Sequence, residues 1–108
     1  MQCELLPSEY RGVRHIIESP LLATRCARYV REDSFDWPGL LAAAQTMSSG
    51  EQLLIRIAHD LWTSKGDVGL CEITRGLDSR TFERVLEALR MSRSSYPADR
   101  SLWLLRAA

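Results

Sequence analysis

The sequence predicts a single all-α domain spanning 1–108, a compact bundle of five or six short helices. Three observations predict it. Apolar residues recur at helical spacing in two long segments, capping residues stand where those segments begin, and 108 residues at 45% hydrophobic content suit one small core. A helix-turn-helix-like pair and a small extended segment at the N-terminus are the two embellishments the pattern admits.

Residues 1–19 read two ways. Val13, His15 and Ile17 alternate as a strand would, while Ser8-Glu9-Tyr10 suits the cap of a short helix. Pro20 then opens a helix from Leu21 to about Arg31, with Leu22, Cys26, Tyr29 and Val30 on one side. Asp36-Trp37-Pro38 starts the next, Asp as cap and Pro in the first turn, and the Ala-rich stretch from Leu40 to Met47 continues it. Ser48-Ser49-Gly50-Glu51 fits a capping box. After it Leu53, Leu54, Ile57, Ala58, Leu61 and Trp62 share one face up to Thr63, opposite a wet face of Gln52, Arg56, His59 and Thr63. Thr63-Ser64-Lys65-Gly66-Asp67 breaks that helix.

Val68 to Arg75 supplies one or two helical turns, Leu70 and Ile73 inward, and stops at Gly76. Asp78 or Ser79 caps the last strong helix, which runs to Met91 with Phe82, Val85, Leu86 and Leu89 as its buried stripe. The expected centre of the core joins that stripe to Leu53, Leu54, Ile57 and Leu61. The tail, residues 96–108, carries Leu102, Trp103, Leu104 and Leu105 and is expected to dock on the body.

Composition narrows the function classes. The 14 basic residues balance 14 acidic ones, so the chain is neither a polycation nor an acidic tail. No apolar run is long enough for a membrane helix and no signal peptide opens the chain, so a cytoplasmic location without membrane contact is expected. All basic residues but Lys65 are Arg, as a GC-rich genome would encode. Cys3, Cys26 and Cys71 lie far apart, and His15 and His59 are isolated. Buried reduced thiols are therefore expected, with no metal site and no cofactor.

Calcium fails on spacing. Placing Gly66 sixth in an EF-hand loop puts Val68 and Glu72 correctly at eight and twelve, but Leu61, Thr63 and Lys65 fall at one, three and five. Catalysis has little support: His59 and Asp60 are adjacent and diverge on a helix, and no phosphate loop or nucleophile elbow is present.

Charge is unevenly spread: +4 over residues 11–31, −5 over 32–72 and +3 over 73–108. Arg25, Arg28 and Arg31 recur every three residues, which places them in a band along one helix side. Such a band either pairs with the acidic middle or serves as a docking stripe for an acidic protein surface or phosphate. Residues 70–91 form the parts of a helix-turn-helix, with Ser79, Arg80, Thr81 and Arg84 as its groove-facing set. Glu83 and Glu87 on the same helix argue against phosphate contact.

The Ser48-Ser49-Gly50-Glu51 start, the Ile57-Ala58-His59-Asp60-Leu61-Trp62 helix end, and Leu77-Asp78 leading into Val85-Leu86-Glu87-Ala88-Leu89 carry a resemblance. Across residues 37–92 the chain resembles small helical proteins encoded by actinobacteria and their phages. The resemblance implies a helical fold and a phage or mobile-element setting, and no activity. The function expected is a non-enzymatic protein–protein interaction module, a phage or host-defence accessory, anchored by Arg25, Arg28 and Arg31, with Trp37, Trp62 and Trp103 as further anchor types. The alternative is a small DNA-binding regulator.

Overall fold

A computed structural model describes residues 8–93, with side chains from Tyr10 onward. Six α-helices follow in order: α1 (Ser8–Ile17), α2 (Ala23–Cys26), α3 (Trp37–Ala44), α4 (Ser49–Thr63), α5 (Leu70–Gly76) and α6 (Ser79–Arg93). A 3-10 turn, Ala27–Tyr29, continues α2. The all-α bundle expected from the pattern is what forms. Among the described residues there is no strand, only an isolated antiparallel bridge between Val30 and Phe35.

The N-terminal segment resolves in favour of a helix. Tyr10, Val13, Ile16 and Ile17 fall on one face of α1 and all are buried. The competing alternation at 13, 15 and 17 fails because His15 points to the half-exposed flank. Residues 1–7 lie outside the described residues. Against the sheath of α1, α6 packs most extensively and α4 next, so α1 is central to the bundle.

The expected helix from Leu21 to Arg31 is cut short. After Tyr29 the backbone turns extended at Val30, and the amide of Arg31 donates to the Ser34 oxygen at 2.9 Å and that of Asp36 to the Tyr29 oxygen at 2.8 Å. This small turn delivers Phe35 into the interior, where it stacks on Tyr10 at 4.9 Å and meets Trp62 edge-on at 5.4 Å. Burying the ring outweighs continuing a helix through Glu32-Asp33-Ser34, residues that favour turns.

The caps form as read. The Asp36 carboxylate accepts from the Gly39 amide, and Ser48 and Glu51 complete their reciprocal box at 3.3 and 2.9 Å. Asp78 is the cap of α6, accepting from the Thr81 amide at 2.8 Å. Leu53, Leu54, Ile57 and Val85 are buried as expected. Leu61, Phe82 and Leu86 are half-buried, and Leu89 is 41% exposed, because α6 buries Thr81, Val85 and Ala88 instead and α1 crosses it at Ala88.

Two placements in α5 also differ from the expectation. Ile73 is half-buried, but Leu70 stands 80% exposed at the first residue of the helix. No residue of α5 is buried, and the helix packs chiefly against α4.

Candidate interaction surfaces

Arg25, Arg28 and Arg31 all reach solvent, but three different kinds of backbone carry them. Arg25 sits in α2, Arg28 in the 3-10 turn and Arg31 just beyond, so the continuous helical band expected from their spacing is broken. Their common support is rigid. Leu22 and Cys26 are buried beneath them, and the Tyr10 hydroxyl donates to the Arg31 main-chain oxygen.

Each guanidinium has a loose neighbour. Arg25 Nη1 lies 3.3 Å from Glu51 Oε1, and Arg31 Nη2 lies 3.7 Å from Asp36 Oδ2 while its Nη1 donates to the Arg28 oxygen at 2.7 Å. Arg28 stands 5.9 Å from the Tyr29 ring centroid. The backbone N–H of Ser48 holds the Glu51 carboxyl below its ordinary pKa, and Arg25 adds to the same effect. Because both ion pairs leave about half of each Arg accessible, they are weakened by water.

The second candidate surface is the start of α6. Ser79 and Arg80 are exposed there. Thr81 is buried, and Arg84 is half-buried with its Nε donating to the His15 main-chain oxygen at 2.7 Å. Thr81 is therefore turned into the body and Arg84 toward α1 rather than outward, a correction to the groove-facing set. Glu83 and Glu87 remain exposed on the same helix, Glu87 Oε1 lying 2.8 Å from His15 Nε2. A groove of about 710 Å³ runs past this helix start between Leu21 and Arg80, with charges of both signs along it.

His59 is not the lone surface side chain expected of it. Its ring packs on Trp37 at 4.7 Å, inside a cluster that joins Tyr10, Phe35, Trp37 and Trp62. Two of the three expected Trp anchors thus serve packing, and Trp103 lies outside the described residues. Asp60 diverges from His59 as adjacency on a helix requires. Its carboxylate accepts the backbone N–H groups of Gly66, Asp67 (2.9 Å) and Val68 (3.1 Å), which hold its pKa low. No residue-level signal marked Asp60 for that role, since its partners are brought round by a turn with left-handed Ser64 (φ 63°) and Gly66 (φ 77°), six to eight residues on.

Cys26 is buried, its thiol pKa raised by desolvation, whereas Cys71 is exposed, contrary to the expectation for it; Cys3 lies outside the described residues. Among the described residues no three or more His, Cys, Asp or Glu side chains gather as metal ligands, and no helix is long and apolar enough to cross a membrane. Comparison with family models, curated proteins and solved structures returned no match.

Proposed function

We propose that this domain is a non-enzymatic protein–protein interaction module that docks an acidic protein surface on Arg25, Arg28 and Arg31. The observation that carries the reading is that all three guanidinium groups reach solvent from one short, well-anchored segment. Arg offers planar, paired N–H donors to carboxylates, and a pre-positioned donor loses less entropy on binding than one on a mobile loop. Resemblance over residues 37–92 favours a phage or host-defence accessory as the setting.

DNA binding by α5 and α6 is the second reading, supported by exposed Ser79 and Arg80 at the start of α6. It is weakened by the engagement of Thr81 and Arg84 with the body and by Glu83 and Glu87, which would repel phosphate.

The test replaces Arg25, Arg28 and Arg31 together by Gln. A synthetic poly-glutamate peptide is the first probe, titrated at low and moderate salt beside a nonspecific DNA duplex. The interaction reading expects peptide binding that the triple variant loses while its melting temperature stays nearly unchanged, exposed pairs being worth about 1 kcal/mol or less each. The wild-type on-rate should also fall as salt rises. Unchanged peptide binding by the variant removes this stripe. Duplex binding that weakens steeply with salt and needs Arg80 would favour the second reading.

A further inference from the structure

We infer that α5 is a releasable strap: residues 69–77 swing off α4 as a unit while α1, α4 and α6 stay packed, with the Arg56–Glu72 ion pair as the latch. The inference is independent of the arginine stripe.

Little apolar surface holds the strap down. Ile73 is half-buried, and the other six of the seven residues of α5 are exposed. Two grooves adjoin it. One of about 480 Å³ lies between Gln52 and Arg56 of α4 and Cys71 and Arg75 of α5. The other, about 300 Å³, is mixed in character, with Ile57, Leu61 and Ile73 beside Asp60, Ser64 and Gly66. The closest approach is at Gly76, where an added Cβ would stand 2.5 Å from Leu53 Cδ2.

The remaining tie is polar. Arg56 Nη1 donates to Glu72 Oε1 at 2.8 Å and its Nη2 to Oε2 at 3.5 Å, while Nη2 also reaches the Asp67 main-chain oxygen at 3.4 Å. Glu72 Oε2 accepts from the Gly69 amide at 3.1 Å, so one carboxylate both closes the latch and caps the helix. Both side chains of the pair are nearly half exposed, so water weakens it and salt screens it.

The ends of the strap are fixed. Asp60 holds the amides of Gly66, Asp67 and Val68, and Asp78 holds that of Thr81. The chain is thus anchored up to Val68 and again from Asp78, and the stretch between has a glycine near each end, Gly69 and Gly76. Elements with few buried apolar contacts and exposed hydrogen bonds open at a lower free energy than the whole fold. Release bares Leu53, which is 7% exposed with α5 in place.

The experiment follows amide hydrogen exchange in the full chain across urea concentrations below the unfolding transition. The Ile73 amide, bonded to the Gly69 oxygen, should exchange through a small opening with little urea dependence, and the amides of Leu54 and Val85 only by global unfolding. Arg56→Gln should speed Ile73 exchange about two- to fivefold, as loss of an exposed ion pair allows, and leave Leu54 and Val85 unchanged. Glu72→Gln keeps an oxygen for the Gly69 amide and should act alike, the double variant adding little. High salt should speed exchange in the wild type but not in Arg56→Gln. Fraying in place is separated from release by Leu53→Cys in a chain whose own cysteines are replaced by Ala. The introduced thiol should react with a disulfide reagent at a rate that Arg56→Gln raises by the same factor. A thiol that reacts only by global unfolding overturns the inference. So does Ile73 exchange that coincides with Leu54 in free energy and urea dependence, or an Arg56→Gln effect spread equally over all three amides.

Discussion

A Cβ added to Gly12 would stand 2.7 Å from the main-chain oxygen of Ala88, so α1 crosses α6 where no side chain fits between them. A carbonyl in the middle of a helix cannot step aside as a side-chain tip can. Gly12→Ala should therefore destabilise the domain, although Ala is favoured over Gly in a helix by about 1 kcal/mol. Overpacking typically costs about 1–3 kcal/mol, so a net loss is expected. Urea unfolding with an unchanged m-value checks it; a stabilised variant would show that the two helices can separate without cost.

Ser48→Ala tests the strongest local signal. It removes the side-chain acceptor for the Glu51 amide but leaves the Glu51 carboxylate on the Ser48 amide. About 1 kcal/mol should be lost, the usual worth of an N-cap. Ser48→Asp should recover most of it, because Asp caps equally well.

The acid side of the stability profile is set by carboxylates whose pKa values fall on folding. Asp60 is lowered chiefly by the Asp67 amide and further by those of Val68 and Gly66, and Glu51 and Asp78 are lowered by their cap amides. A lowered folded-state pKa contributes stability above the ordinary carboxylate range and loses it as pH falls through the lowered value. Thermal melts should therefore be flat from neutral to about pH 5 and decline below about pH 4. Asp60→Asn should weaken the domain at neutral pH by about 1 kcal/mol, after discounting for solvent, and make the acid decline shallower. A decline of wild-type steepness in that variant would assign the acid sensitivity to the other carboxylates.

Burial ranks two core substitutions differently from the sequence pattern. Leu54 is fully buried, so Leu54→Ala should cost about 2–5 kcal/mol. Phe82 is half-buried, and Phe82→Ala should fall below the roughly 3–5 kcal/mol of a fully enclosed ring. Equilibrium unfolding of the pair decides the order.

What could be read in advance was local. The caps at Asp36, Ser48 and Asp78 act within three residues, so their partners are in the same stretch of sequence. The apolar face of α4 was equally plain, because its residues repeat at one angle. Periodicity says which side chains share a face, not how much of that face a neighbour covers. That is why Leu70 and Leu89 stood among the inward residues yet are exposed. The same limit applies to the candidate surfaces. Arg84 was expected outward, but its partner is the main chain of His15, 69 positions away. Arg25, Arg28 and Arg31 kept their exposure while losing their shared helix, because the turn that ends it is imposed by the burial of Phe35.

The pairing of α1 with α6 has a consequence for how the chain is made. Tyr10, Val13, Ile16 and Ile17 leave the ribosome before the other helices, but the helix that covers most of their face is the last one described. At about 5–20 residues per second, synthesis from the end of α1 to the end of α6 takes roughly 4–15 s. For that interval the apolar stripe of α1 has only Phe35 and then α4 to shelter part of it, and nascent chains stalled between the two helices should be the form that chaperones hold.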